Sequence, residues 1–262
     1  MAPRTTTPLL YAVALCCGLA VAQEAKDPPA DPEVPKRIAE LKRYAKNRKM
    51  EDDFQAIGLM QALTKTPDKQ NSKDKKKIAK GLGDVFKLGK VREGQKDIPY
   101  REAADGLAKY GKDGAKELSR AVENKRFKDN FSLRAHMLRA LGRTKDDKQI
   151  DYLLEVTSRS PRDPLRAASG EALGNYTEAK IRDKREIVSQ IIRAWGSLAS
   201  ESTRPVSNNA NGPVDFGPQN ALRILRACEG HWVRTLQKLT GMSLTKFPDW
   251  QRWQNKNKNW KN

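Results

Sequence analysis

Two stretches of the chain repeat one pattern: residues 133–142 read LRAHMLRALG, and residues 165–174 read LRAASGEALG. In both, a leucine is followed by arginine and small residues, and the stretch ends in Ala-Leu-Gly. A third stretch, residues 100–111 (YREAADGLAKYG), follows the pattern less closely. The closing glycines stand at positions 111, 142 and 174, so the intervals are 31 and 32 residues. A nearly fixed interval of this length is typical of helical repeats.

The apolar residues recur at helical spacing along most of the chain. The longest stripe includes Ile187, Ile191, Trp195 and Leu198, spaced by three or four positions. No segment alternates apolar and polar residues over the length that a strand needs. We therefore predict an all-α fold of helical hairpins, whose second helices lie at 116–123, 149–156 and 184–198. Since one hairpin cannot bury its apolar face alone, stacked hairpins should form a solenoid.

The recurring residues of the pattern have predicted structural roles. Glycine adopts the left-handed conformation that ends a helix without steric strain. We therefore predict helix C-caps at the three glycines of the pattern: Gly111, Gly142 and Gly174. Three arginines recur near helix starts: Arg101, Arg134 and Arg166. We predict that they form a ladder with acidic neighbours between repeats, and the alternative is a row of ligand contacts along one face.

The stretches ending at Gly142 and Gly174 resemble the HEAT-like repeats of bacteria, of the phycobilisome-lyase type. The C-terminal region resembles a tail found on some bacterial HEAT-repeat proteins, with Leu-Thr-Gly at 239–241 followed by Trp250, Trp253 and Asn255. Gln254 stands where that tail usually has a further tryptophan. The resemblance implies a right-handed α-solenoid of HEAT-like hairpins with a C-terminal capping helix, in which Trp250 and Trp253 clamp the cap onto the last repeat.

The N-terminus has the layout of a secretory signal peptide. An apolar run from Pro8 ends in Ala-Val-Ala before Gln23, a small-x-small cleavage pattern. We predict cleavage near Ala22, a secreted or periplasmic location, and no transmembrane anchor afterwards. The remaining chain divides into a Pro-rich disordered spacer (23–36), HEAT-like repeats (37–200) whose leading hairpins are degenerate, a flexible loop (201–218) and C-terminal helices with the cap (219–262).

No catalytic constellation emerges from the sequence. The two histidines, His136 and His231, are far apart in the chain, and Cys228 is the one cysteine that remains after cleavage. Zinc sites need several such ligands at short spacings. Cys228 lies on an apolar helical stripe, which favours a buried residue over a reactive thiol. We therefore predict a protein that is not an enzyme and has no metal and no cofactor.

The charge is the remaining functional indication, since 51 Lys+Arg against 32 Asp+Glu give a formal net charge of +19. The basic residues concentrate in two N-terminal clusters, the first being Lys42, Arg43, Lys46, Arg48 and Lys49. The second cluster comprises Lys73, Lys75, Lys76, Lys77 and Lys80. We predict an exported, non-catalytic scaffold that binds another protein. The alternative is a binder of anionic polymer, either nucleic acid or acidic polysaccharide, which is favoured if the clusters converge in space.

Overall fold

The computed structural model describes residues 27–205 and 215–260, and in these residues the chain is helical without β-strands. The described α-helices are α1 (Glu33–Lys46), α2 (Asp53–Leu63), α3 (Ser72–Val85), α4 (Ile98–Leu107), α5 (Gly111–Val122), α6 (Phe131–Arg143), α7 (Ile150–Arg159), α8 (Asp163–Leu173), α9 (Ile181–Ser202), α10 (Gly217–Thr240) and α11 (Phe247–Lys256). The predicted all-α class is confirmed. The predicted signal peptide lies outside the described residues. Among the residues described, none of the helices combines the length and apolarity needed to cross a bilayer.

The helices pack in two sets, which we call the even row and the odd row. In the even row α2 contacts α4, α4 contacts α6, α6 contacts α8, and α8 contacts α10. In the odd row α1 contacts α3, α3 contacts α5, and α7 contacts α9, whereas α5 and α7 make little contact. The apolar core lies between the rows, because each even helix also packs against odd ones.

The pairing of successive helices differs from the predicted hairpins. The prediction paired α4 with α5, α6 with α7 and α8 with α9. The extensive contacts instead join α5 to α6, α7 to α8 and α9 to α10, and the α6–α7 and α8–α9 contacts are sparse. Of its two neighbours in the chain, each patterned helix therefore packs more extensively on the one before it. Sequence periodicity establishes the interval between units but does not establish which of the two neighbours a helix contacts.

The predicted spacer is partly helical and attached to the fold. Helix α1 begins at Glu33, with Pro32 before it and Pro35 in its first turn. Proline is tolerated in a first turn because the N–H groups there have no intrahelical acceptor. The backbone N–H of Asp31 donates to Asp74 of α3 at 2.8 Å, and the Asp27 carboxylate accepts from the Ser72 hydroxyl at 2.7 Å. The prediction of a free spacer over 23–36 is thus wrong for the described residues from 27 onward.

The segment between α9 and α10 is shorter at both ends than the predicted loop over 201–218. Helix α9 continues to Ser202, and α10 already begins at Gly217. Residues 206–214 lie outside the described part of the chain.

The predicted left-handed glycine C-caps are absent at two of the three positions. Gly142 lies inside α6, and Gly174 is the C-cap of α8 but has φ −68°, in the right-handed helical region. Gly111 has φ +48° but is the first residue of α5, after a 3-10 turn. The left-handed cap expected of the repeats occurs instead after α10, at Gly241, with φ +72°. At Gly142 the glycine is required by the close approach of α8 and not by the backbone conformation.

Small residues allow the even row to pack closely. A Cβ atom added to Gly142 would lie 2.5 Å from the Ala172 carbonyl oxygen of α8. A Cβ atom at Gly170 would lie 2.2 Å from Nε1 of the buried Trp232 on α10. A β-carbon at either position therefore requires neighbouring atoms to move, and at Gly142 the obstructing atoms include backbone.

We predict that Gly142→Ala lowers the unfolding free energy by about 1–3 kcal/mol, because overpacking displaces the α8 backbone. The matched control is Gly58→Ala in α2, where an added Cβ meets nothing within 4 Å. There alanine should stabilise the helix by about 0.5–1 kcal/mol. Denaturant titrations of the two variants measure both changes. A Gly142→Ala variant as stable as the Gly58→Ala variant would contradict the close approach of α6 and α8.

Candidate functional site

The first basic cluster lies along the end of α1 and the turn that follows. Lys42 is half-buried, and its Nζ lies 2.8 Å from Oδ2 of Asp84, which ties α1 to α3. Burial alone would raise the pKa of Asp84, but hydrogen bonds and charges from Lys42 and Lys87 outweigh it and hold this pKa below its ordinary value. The other four members are exposed: Arg43, Lys46, Arg48 and Lys49. One member of this cluster is therefore structural.

The second basic cluster lies entirely on α3. Lys75 is half-buried, and the other four are exposed at helical spacing on one face: Lys73, Lys76, Lys77 and Lys80. Lys77 Nζ is 3.7 Å from Oδ1 of the buried Asp74, and Asp27 is a further carboxylate near the start of the stripe. Like charges three or four positions apart destabilise a helix by about 0.2–0.5 kcal/mol per pair. The stripe thus lowers the stability of α3.

The two clusters are offset along the α1–α3 pair. The helices run parallel, because Asp31 bonds to Asp74 near both helix starts and Ala45, in the last turn of α1, lies against Gly89, just after α3. The second cluster runs from Lys73 to Lys80, from the start of α3 past its middle, whereas the first cluster occupies the second half of α1 and the turn after it. The two predicted clusters are therefore centred at different levels of the helix pair.

Helix α5 extends the second cluster instead. It packs beside α3, with Gly83 against the side chain of Glu117, and Arg126 just after α5 donates to the Phe86 carbonyl just after α3 at 3.0 Å. The two helices therefore also run parallel. This register sets Lys112 and Lys116, both exposed, beside the α3 stripe. We call the following six exposed lysines the basic ridge: Lys73, Lys76, Lys77, Lys80, Lys112 and Lys116.

The acidic residues of α3 and α5 are less exposed than the lysines of the ridge. Asp74 and Glu117 are buried, and Asp84 and Asp113 are half-buried. The Glu117 carboxylate lies 2.9 Å from Arg120 and 3.6 Å from Lys87, neither of which belongs to the ridge. Positive charge therefore dominates the solvent-facing side of these helices. Sequence reasoning missed Lys112 and Lys116, although their spacing of four on a predicted helix was visible.

The repeated arginines form the predicted acidic ladder only in part, because backbone carbonyls are the nearer partners of two of them. Arg134 Nε donates to the Val122 carbonyl at 2.9 Å, and Arg166 Nε donates to the Thr157 carbonyl at 2.8 Å. These carbonyls belong to the last turns of α5 and α7, where no intrahelical donor is left. Two of the three also have an acidic neighbour: Arg101 binds Asp97 at 2.7 Å within its own unit, and Arg134 Nη2 lies 3.9 Å from Oε1 of Glu123 at the end of α5. These arginines are structural because they connect successive helices.

Other residues build ionic links across the even row. Asp105 of α4 bonds to Arg143 and lies 3.0 Å from Nε2 of His136, both on α6. The Glu171 carboxylate of α8 lies 2.8 Å from Arg139 of α6 and 2.9 Å from Nδ1 of His231 on α10. These links connect four successive helices of the even row.

His231 lies between two competing partners. Arg234 Nη2 is 3.1 Å from the same Nδ1 atom that faces Glu171. One nitrogen cannot donate to a carboxylate and accept from a guanidinium at once, so the two contacts belong to different tautomers. Burial lowers the pKa of His231 most, the charges of Arg234 and Arg139 lower it further, and Glu171 opposes them.

The tail, with its tryptophans, attaches to α9 of the odd row. Trp250 is fully buried, and its ring centroid lies 5.8 Å from that of the partly buried Trp253. The ring of Trp260 packs in turn against that of Trp253, at a centroid distance of 5.7 Å and a tilt of 55°. Arg185 of α9 donates to the Trp260 carbonyl through Nε at 2.9 Å and through Nη2 at 2.6 Å. The described tail is therefore anchored through Trp260, which lies beyond the two predicted cap residues.

Cys228 is free and completely buried on α10. Burial raises the pKa of its thiol to about 12, which keeps it protonated at neutral pH. Within the described ranges, no three His, Cys, Asp or Glu side chains are grouped as a metal site requires.

Comparison of the chain with protein-family models, curated proteins and solved structures finds no match.

The links of the even row predict acid sensitivity. Hydrogen bonds and charges of partners hold the pKa values of Asp105 and Glu171 below their ordinary values despite burial. The stability they contribute is present at neutral pH and is lost as pH falls through the range below about 4.5. The lowered pKa of His231 acts in the same direction below about pH 6.5. We expect the melting temperature to fall on acidification.

The Glu171→Gln variant should show a smaller acid-induced fall in melting temperature than the unaltered chain. The control is Glu155→Gln, because Glu155 is exposed and its nearest cation, Arg159, is 3.8 Å away. Calorimetric melts across this pH range compare the variants. If both variants follow the unaltered chain, the Glu171 links do not contribute to stability.

Proposed function

We propose that the protein is an exported, non-catalytic scaffold built as a right-handed HEAT-like solenoid, and that it functions by binding a partner. The stacking of α2, α4, α6, α8 and α10 in sequence order supports this architecture. Repeat proteins of this kind expose long surfaces on which binding residues recur from one unit to the next. The anchored tail would serve as the terminal cap that such an array needs.

The partner that we propose is an anionic polymer bound along the basic ridge. The observation that carries this proposal is the parallel register of α3 and α5, which sets lysines of two helices side by side. The first predicted cluster is not included, because it is centred further along the α1–α3 pair, at the end of α1 and in the turn after it. The polymer-binding alternative therefore rests on the second cluster together with Lys112 and Lys116.

The dimensions of the ridge suit a linear polyanion. Lys73 and Lys80 are seven residues apart, a rise of about 10 Å along a helix. Neighbouring helix axes are about 8–10 Å apart. Because backbone phosphates in one strand follow each other every ~3.4 Å, a segment of about three charges spans the α3 stripe. The like-charge repulsion within the stripe would also be relieved by such a partner.

Replacing ridge lysines should weaken polyanion binding and reduce its dependence on salt. The variant is Lys76→Gln, Lys77→Gln, Lys80→Gln and Lys116→Gln in one chain. Each lost phosphate contact lowers the slope of log K against log salt by about 0.7 for a single strand. Fluorescence titration with oligothymidylate and with polygalacturonate, each at several salt concentrations, measures the slopes.

The matched control removes the same number of charges from the first cluster: Arg43→Gln, Lys46→Gln, Arg48→Gln and Lys49→Gln. These four residues are exposed and lie away from the ridge. The slope of this control should match that of the unaltered chain. Equal losses in both variants would mean that net charge alone drives binding, and the ridge proposal would be overturned. Absence of binding to both polymers at low salt would overturn it as well.

A protein partner is the second candidate, and the exposed face of α2 favours it. This helix is the first of the even row, so one side lacks the neighbour that every inner helix has. Phe54 is 84% exposed on that side, beside half-buried Ile57 and the open position of Gly58. An apolar helix of the partner protein would continue the row there, as α4 does on the opposite side.

The protein-binding proposal is tested by substitution at Phe54. A partner recovered from the envelope fraction should bind the unaltered chain and lose affinity for Phe54→Asp by about tenfold or more, as expected of a central apolar contact. Phe216→Asp is the control, because Phe216 is 57% exposed and lies outside α2. Calorimetric titration with the purified partner measures both. A partner that binds the Phe54→Asp chain normally does not occupy this face.

A further inference from the structure

A cleft separates the first half of α9 from the end of α11 and the segment after it. Its volume is about 520 Å³. Cavities of about 300–1,000 Å³ commonly hold small ligands. The cleft lies on the anchored tail, at α9 and α11, whereas the basic ridge belongs to α3 and α5. It is therefore a separate feature of the molecule.

Positive charge dominates the walls of the cleft. The cationic lining residues are Arg182, Arg185, Arg193 and Lys258, and the one lining carboxylate is Glu186. Glu186 accepts a hydrogen bond from Gln190 at 2.6 Å. Arg193 and Lys258 form no ion pair within the described residues. Two cations in the cleft thus lack an anionic partner.

Arg185 adds a positive charge to the cleft that its hydrogen-bond partners do not neutralise. Its guanidinium donates to the backbone carbonyls of Asn259 and Trp260, which are neutral acceptors. These bonds hold the guanidinium in place while its positive charge stays uncompensated. A pre-positioned guanidinium of this kind suits a carboxylate or a phosphate.

The remaining walls combine one aromatic ring with side-chain amides. Trp260 lines the cleft and is half-buried, with its ring held against Trp253. Gln254 and Asn255 line the same cleft, and both belong to the tail segment that resembles bacterial HEAT-repeat proteins. Amides both donate and accept hydrogen bonds, and an indole offers an apolar face with a polar edge. Hydroxyl groups and a C–H face on one ring are the features of a sugar.

We propose that this cleft binds an anionic sugar. Arg193 and Lys258 would take the negatively charged group, the amides of Gln254 and Asn255 would take ring hydroxyls, and Trp260 would pack against the C–H face. This site does not depend on the proposed polymer-binding ridge. A uronic acid and a sugar phosphate share the required chemistry, and they are distinguished by separate probes.

The experiment is calorimetric titration of the full chain with trigalacturonate, glucose 6-phosphate and neutral maltotriose at millimolar concentrations. We expect trigalacturonate or glucose 6-phosphate to bind and maltotriose to bind at least about tenfold more weakly, because it lacks the charge. The stronger of the two anionic probes identifies the charged group. Absence of binding by both anionic probes, or equal binding of maltotriose, would overturn the proposal.

Two variants locate the binding. Arg193→Gln with Lys258→Gln should weaken binding of the anionic probe by about tenfold or more. Both residues lack ion pairs in the described fold, and the melting temperature verifies that the variant is folded. The ridge variant of four glutamines should retain the affinity of the unaltered chain for the short probe. If the ridge variant loses affinity and the cleft variant does not, the sugar binds the ridge and the cleft proposal is wrong.

Discussion

The close approach of successive even-numbered helices is the constraint on which the rest of the structure depends. Gly142 faces the backbone of Ala172, and Gly170 leaves the space that Trp232 fills. Because packed interiors leave little free volume, one added carbon at such a contact moves a helix. The direction of each helix then determines where its exposed side points. In this way a few small residues in the core control the placement of surface charge.

The surface chemistry follows from that packing. Parallel packing of α1, α3 and α5 separates the first basic cluster from the second and brings Lys112 and Lys116 beside the α3 stripe. Carboxylates of α3 and α5 are buried or half-buried, so they neutralise the outward lysines incompletely. The ionic links around Asp105 and Glu171 differ from the ridge, since their charges are paired across helices and stabilise the even row.

The tail performs two tasks through one set of contacts. The rings of Trp250, Trp253 and Trp260 pack against one another, edge-on or tilted, and Arg185 of α9 holds the Trp260 carbonyl. The same arrangement leaves a cleft beside the attachment, with Arg193 and Lys258 on its walls. Arg185 belongs both to the anchoring contact and to the wall of the cleft. It can do so because the backbone carbonyls that it binds do not neutralise its positive charge.

The sequence by itself determined the helical class and the approximate positions of the patterned helices, because a helix places residues three and four apart on one face. It also located both lysine clusters and the two cap tryptophans. Only the tertiary structure decided that Gly142 is needed for space, that Arg134 and Arg166 bind helix-end carbonyls, and that Trp260 is anchored. The tertiary structure also decided that the basic ridge combines lysines of α3 with lysines of α5, and not with the basic residues of α1. The physical reason is that periodicity is local, whereas these roles depend on contacts between residues up to 75 positions apart in the chain.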